Sequence, residues 1–538
     1  MEHVNAGAQT VLFMVAVLAA VAVAAKRLNV APSILLVIAG LAMAVIPGLP
    51  RIALAPELVL LIVLPPLIYS AGVAMSWREF KFNLRPIALL AFGCVVFTTC
   101  AVAAALHYGL GFDWGVGFLL GAIISPPDVV APLALARQLG LPRRIMVVLE
   151  GEGLANDATA LVLYRFAVVA VSTGTFSMQN AAGQFALIIV GEIMYGIGVG
   201  WISLRLRQWA RDPRVEITLS LMTPYVAFWL PNHLGGSGVL ATVACGLYVS
   251  WNGPLLIPSA TRLQGIFFWD LIIYLIEGLV FLLTGLQARV LIEQTHVFSI
   301  RDLVVATLLT TAIAVVARYV WVFPAIYVPR WLSKKLAKRD PAPPWQWAFF
   351  LAFTGVRGTV SLAVALAIPY TVASGAPFPN RELILFVTFG VIVLTLVGQG
   401  SMLPSVVRWL GLSKHAKAEQ RREIEAELAA RQAALKDVTE RLDKIIANCG
   451  LPKEAIAHLR TRNQIRLQVL PDNLADGVEH MRETARIKGE LIKAERQFIY
   501  GLLRDGKITD EARRRIEYEL DLEEASVANR AKGSGGWM

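Results

Sequence analysis

Leu149-Glu150-Gly151-Glu152-Gly153-Leu154-Ala155-Asn156-Asp157-Ala158-Thr159 sits inside a largely apolar run, residues 145–172. A run of that length is enough to cross the hydrocarbon core of a bilayer as a helix. Ionised side chains at such a depth each cost about 2.5–3.5 kcal/mol on the mildest scale. Three carboxylates and an amide fall between residues 150 and 157, so this face must look onto other helices and not onto lipid. Glu152 and Asn156 are four residues apart and share one helix face. Asp157 lies about 100° further round. Gly151, Gly153, Ala155 and Ala158 are small and admit a neighbouring helix at close range. Packing alone does not account for Asp157 and Glu152. Glu150, nearer Arg143 and Arg144, reads equally well as an interfacial charge.

The surrounding chain supports a membrane setting. Of 538 residues, 56% are hydrophobic and 17% charged, against about 45–50% and about 25% in soluble domains. Apolar runs long enough to span occur near residues 9–25, 31–48, 53–74, 86–107, 114–136, 145–172, 183–206, 215–233, 237–252, 264–288, 301–329, 346–370 and 382–410, thirteen in all. Residues 9–25 have no preceding positive region and are followed by Lys26 and Arg27, so they read as a retained first helix, not a cleaved leader. With the N-terminus outside, inner loops carry eighteen Lys and Arg and outer loops only Arg51, Arg289, Arg301 and Arg381, the bias expected of cytoplasmic loops.

The net charge of +11 does not point to nucleic acid. Residues 411–538 hold 24 Lys and Arg against 22 Asp and Glu, a net +2; the other +9 lies in or between the apolar runs. Two domains follow: a membrane domain, 1–410, and a cytoplasmic helical tail, 411–538, with apolar residues at helical spacing. Three of the four cysteines, Cys94, Cys100 and Cys245, fall in apolar runs, and with Cys449 they form no zinc-binding pattern.

Two further places concentrate cost. Ser125-Pro126-Pro127-Asp128-Val129-Val130-Ala131-Pro132 puts three prolines into the fifth run. Each removes an N–H and clashes with the preceding turn, so the helix must break there. Freed backbone groups then face the protein interior. Asp128 sits in the break, either as a cap of the second half-helix or as a wall of a site. In the twelfth run, Gly355-Val356-Arg357-Gly358 sets an arginine between glycines. A buried arginine stays charged and calls for a carboxylate. The two interrupted runs are seven spans apart and so opposite in direction. That placement points to two inverted repeats, runs one to six and eight to thirteen, with a site near the midplane.

These residues carry a resemblance. Leu149 to Ala158 resembles the Leu-Glu-Gly-Glu-Ser-Leu-Leu-Asn-Asp-Ala signature of the sodium/proton exchangers, the electroneutral branch of the monovalent cation/proton antiporters. Gly355 to Gly358, Phe281-Leu282-Leu283-Thr284-Gly285-Leu286-Gln287 and Ser237-Gly238-Val239-Leu240-Ala241 resemble further motifs of that family, in order. The resemblance implies an all-α polytopic protein and no enzyme. It implies a homodimer in the plasma membrane exchanging Na⁺, or Li⁺ or K⁺, for H⁺, with no cofactor besides the transported ions. Asp157 matches the ion- and proton-binding aspartate and Asn156 its neighbour. Glu152 and Arg357 match a stabilising ion pair. Asp128 matches the aspartate of the broken helix, and Glu277 a position acidic in some members. Asp157 and Asp128 are the expected cation ligands.

Two departures stand out. The family's Ser-Pro-Thr-Asp-Pro is here Ser125-Pro126-Pro127-Asp128-Val129, and the serine after the glutamate is Gly153. Two side-chain oxygens are therefore missing, with Ser125 and Thr159 as candidate substitutes. A channel or uniporter is the main alternative, but no carbonyl-filter sequence of the potassium-channel kind is present. A proton-coupled carrier of another substrate is a second alternative. No Walker loop or hydrolase motif supports an enzyme.

Overall fold

In the computed structural model, residues 2–28, 30–46, 59–174, 178–294, 298–447, 454, 456–458, 460–461, 474–505 and 507–533 are described. Two compact units divide the chain: residues 1–136 with 143–412, and residues 137–142 with 413–538.

The first unit is helical. Its elements are α1 (Glu2–Leu28), α2 (Pro32–Val45), α3 (Val59–Ala74), α4 (Leu84–Leu110), α5 (Trp114–Ile124), α6 (Val130–Gln138), α7 (Arg143–Thr173), α8 (Met178–Ala210), α9 (Pro213–His233), α10 (Val239–Leu256), α11 (Ser259–Gln294), α12 (Ile300–Leu332), α13 (Trp345–Phe353), α14 (Thr359–Leu366) and α15 (Arg381–Leu410). Among the described residues, eight helices are long and apolar enough to cross a membrane, and α2, α3 and α5 are shorter apolar helices. Over the described residues, each of the thirteen apolar runs coincides with one of these helices or with a broken pair. The fold is that of a polytopic all-α membrane protein.

Packing repeats itself at an offset of seven runs. α2 lies along α11, and its counterpart α10 lies along α3. α4 packs on α5 as α12 packs on α13. α7 meets α4 and α5 as α15 meets α12 and α14. α1 touches α2 and α11 as α9 touches α10 and α3. α8 is left over as the connector. Seven reversals of direction separate the partners, so the repeats are inverted. Glycine explains the closest crossings. A Cβ at Gly40 of α2 would stand 2.3 Å from the Leu282 carbonyl oxygen and 2.9 Å from the Gly285 Cα of α11. In the matching pair, a Cβ at Gly246 of α10 would stand 3.0 Å from the Gly72 Cα of α3. Only residues without a side chain let backbones approach this closely.

The second unit contains α16 (Leu412–Ala447), α17 (Leu474–Arg504) and α18 (Asp510–Gly533). Within it α17 packs on α18, and Arg496 bridges to Asp521 at 2.6 Å and Glu524 at 2.8 Å. Residues 448–453 and 462–473 of the expected helical tail lie outside the described residues.

Candidate functional site at the crossing of two broken helices

The prolines act as expected. α5 ends at Ile124 and α6 begins at Val130, leaving residues 125–129 non-helical. α13 ends at Phe353 and α14 begins at Thr359, leaving 355–358 non-helical. The two breaks meet. The Asp128 N–H donates to the Val356 carbonyl oxygen at 2.6 Å. A Cβ at Gly358 would stand 2.5 Å from the Asp128 side chain, so this glycine is required for the crossing. The Arg357 guanidinium donates to the Ser125 carbonyl, and its N–H donates to Thr395 Oγ1 at 3.0 Å. Backbone groups released by one break are thus taken up by the other, as groups away from water must be.

α7 runs past this crossing. Asn156, fully buried, donates from Nδ2 to the Pro127 carbonyl at 2.8 Å, while its Oδ1 is buried without a partner. Asp128 Oδ1 accepts from the Val130 N–H at 2.8 Å and so caps α6. Asp157 lines a small cavity together with Pro126, Ser361 and apolar neighbours from α5, α7 and α14. The cavity has room for little more than one water-sized occupant. Among the described residues the Asp157 carboxylate accepts no hydrogen bond. Asn156, the neighbour of Asp157, bonds to the carbonyl of Pro127, the neighbour of Asp128, so both aspartates belong to the same crossing. Ser125 and Thr159 are buried, but their hydroxyls donate to the carbonyls of Ala122 and Ala155, at 3.2 and 3.3 Å. Each retains acceptor capacity only. Glu277 is half-buried on α11 and is not among the residues that line the Asp157 cavity.

One expected pairing is different. Glu152 does not pair with Arg357. Both its oxygens accept from Arg318 of α12, at 2.5 Å from Nη1 and 2.9 Å from Nη2. The two side chains are 0% and 1% exposed. Arg318 Nε is spent on the Leu351 carbonyl at 3.0 Å. A Cβ at Gly355 would stand 2.5 Å from Arg318 Cδ, so the glycine before Val356 makes room for this arginine. No carboxylate among the described residues lies within ion-pair distance of Arg357. Its charge is held by carbonyl oxygen instead. Arg318 was legible as a lone cation inside an apolar run, by the same rule that marked Arg357.

Glu192 of α8 is a second buried carboxylate missed in the same way. Its oxygens accept from the N–H groups of Ser237, Gly238 and Leu240 at 2.5, 3.0 and 3.1 Å. It caps α10, where carboxylate charge is favoured, and has no capacity left for a ligand of its own.

The two departures from the exchanger motifs are neighbours. A Cβ at Gly153 would stand 2.4 Å from Val129 Cγ2. Val129 fills the space that a serine side chain at 153 would need. The Pro127 position keeps its carbonyl in use even without a hydroxyl.

The sodium/hydrogen exchanger transmembrane family matches residues 13–409. An uncharacterized Na(+)/H(+) exchanger of Mycobacterium tuberculosis is 32% identical over 536 residues, covering 98% of this chain and 97% of that one. A low-affinity Na(+)/H(+) antiporter of Synechocystis is 32% identical over 444 residues, 82% of this chain and 81% of its own. In fold, the chain resembles a sodium proton antiporter of Methanocaldococcus jannaschii, with a TM-score of 0.62 at 19% identity, over 77% of this chain and 100% of that one. This chain therefore belongs to the sodium/hydrogen exchanger family of membrane transporters.

Proposed function

We propose that this protein exchanges a monovalent cation for H⁺ across the plasma membrane, with Na⁺ first among Na⁺, Li⁺ and K⁺. The observation that carries the reading is Asp157: a carboxylate on a small cavity, where two broken helices cross, that accepts no hydrogen bond among the described residues. A carboxylate in that state takes either a proton or a hard cation, and carboxylate and carbonyl oxygens suit such a cation. Charge disfavours both at once. Alternating exposure of the loaded site then gives exchange.

The supporting residues have distinct roles. Asp128 lends charge to the site while its Oδ1 holds the cap of α6. The unpartnered Asn156 Oδ1 is a neutral oxygen available to the cation. Glu152, with both oxygens on Arg318, positions α7. Ser125 and Thr159 offer lone pairs, and Glu277 is a more remote candidate. Asn156, and not a second aspartate, precedes Asp157; a single titrating carboxylate at that pair supports one proton per cation and no net charge moved. A relative in Bacillus pumilus, 34% identical over 68% of this chain, is named a sodium, potassium, lithium and rubidium/H(+) antiporter; cation choice within one architecture is therefore wide. The charge bias of the loops supports an outside N-terminus and a cytoplasmic tail, and the family resemblance supports a homodimer.

The test is dissipation of a pH gradient in proteoliposomes on adding Na⁺, Li⁺ or K⁺, with and without valinomycin and a protonophore. Recovery with a cation, at a rate indifferent to membrane voltage, is expected. Current without proton movement would replace the proposal with a channel.

A further inference from the structure

Away from the crossing, the ends of three helices gather an excess of positive charge around a cavity. Arg85 opens α4, Arg144 opens α7 and Arg330 lies in the last turn of α12. All three bind the single carboxylate of Asp340. Arg85 Nη2 is 2.9 Å from Oδ2, Arg330 Nη2 is 2.7 Å from Oδ2 and Arg144 Nη2 is 2.7 Å from Oδ1. Three guanidinium groups on one carboxylate leave a net +2. Asp340 is 11% exposed and Arg330 6%, while Arg85 and Arg144 are 29% and 25% exposed, so bulk water offsets only part of that excess.

Arg144 and Arg330 also line a cavity, with Trp347 and apolar walls that include Leu90, Val148 and Leu351. One donor there is unspent: Trp347 Nε1 is buried and has no hydrogen-bond partner. Arg85 Nη1, outside the lining but bonded to the same Asp340 through Nη2, is also buried without a partner. Tryptophan offers a donor and no acceptor, and arginine likewise. Every unspent group is therefore a donor, and every uncompensated charge is positive.

We propose that this cavity is a binding site for a phosphate group, held by Arg144, Arg330 and Trp347 Nε1. Guanidinium groups suit phosphate oxygens in geometry as well as charge. Because the site lies where three spans begin or end, and its walls are mostly apolar, the phosphate of an anionic phospholipid fits it with its acyl chains along the helices. Inorganic phosphate shares the headgroup chemistry and is the other source. Neither ligand belongs to the exchange reaction, so the site would set the stability or activity of the loaded transporter from outside its ion path.

The test uses the full-length protein in neutral detergent. Its thermal midpoint is titrated with phosphatidylglycerol, with phosphatidylcholine or with inorganic phosphate. Phosphatidylglycerol is expected to raise the midpoint saturably and phosphatidylcholine not to. Trp347→Phe, which removes one donor to a charged group, is expected to weaken the apparent affinity about tenfold. Arg144→Gln should weaken it at least as much. Arg143→Gln is the control: that guanidinium pairs with Glu79 at 2.8 Å and does not line the cavity, so the titration should be unchanged. A response to inorganic phosphate equal to that to the lipid, lost in the same two variants, supports the site with free phosphate as its ligand. No stabilisation by either ligand would overturn the proposal. So would equal losses in Arg143→Gln and Arg144→Gln, which would mark a diffuse surface charge effect. Should Arg144→Gln fail to fold, Trp347→Phe carries the test alone.

Discussion

Replacing Arg318 with methionine removes the partner of Glu152, together with the single hydrogen bond from Nε to the Leu351 carbonyl. The bond it breaks is bidentate, at 2.5 and 2.9 Å, between side chains no more than 1% exposed. What remains is a carboxylate at 0% exposure with no cation to answer it. Removing one partner of such a pair costs about 3–5 kcal/mol, chiefly because the survivor stays buried and charged. Each kcal/mol moves a thermal midpoint by about 2 °C in a large domain. Arg318→Met should therefore lower the apparent midpoint in detergent by about 6–10 °C. Arg357→Met removes a charge bonded to carbonyl oxygen, Ser125, and should cost about half of that or less. The decisive quantity is coupling. Glu152→Met combined with Arg318→Met should be less harmful than the sum of the single changes by about 2–3 kcal/mol, whereas Glu152→Met with Arg357→Met should be close to additive. Coupling of Glu152 to Arg357, with none to Arg318, would refute the pairing.

Other outcomes follow from distances at the crossings. Gly153→Ser places a Cβ 2.4 Å from Val129 and should cost about 1–3 kcal/mol in the same melting assay; adding Val129→Ala should recover most of it. Gly40→Ala drives a methyl into the α11 backbone at 2.3 Å and should be far more damaging than Gly72→Ala, whose nearest neighbour is at 3.3 Å; equal midpoints for the two would contradict the repeat packing. Because a cation ligand must be deprotonated to bind, proton and cation compete at Asp157. The apparent KM for the cation, measured on the side it enters, should rise as pH falls through the titration of the site, approaching about tenfold per pH unit, with the maximal rate little changed.

Much of this was readable from residues alone, because the membrane makes certain residues expensive. The prolines at 126, 127 and 132 could not lie in a continuous helix, and the break falls where they predict. Asp157, Asn156 and Asp128 stood out as polar groups with no cheap reason to be where they are. The partner of Glu152 was not readable in the same way. Arg318 and Arg357 are both lone cations in apolar runs, and sequence spacing does not say which of two spans faces α7. Position of the motif favoured Arg357; the space left by Gly355 selects Arg318. The inverted repeat was visible only in the placement of breaks, since no residue pattern repeats clearly. At the backbone it rests on matching glycine pairs, Gly40 with Gly285 and Gly246 with Gly72, and single glycines among 42 carry no signal until the helices are packed. The compensation between Val129 and Gly153 was likewise hidden, because 24 residues of sequence separate two atoms that would clash.

In the exchange proposed above, one carboxylate, Asp157, carries cation and proton in turn. Cation-driven recovery of a pH gradient in proteoliposomes, compared between the wild type and Asp157→Asn at matched protein incorporation, tests it most directly. Recovery is expected in the wild type and none in Asp157→Asn at any pH or cation concentration. Full pH-dependent exchange by Asp157→Asn would contradict it.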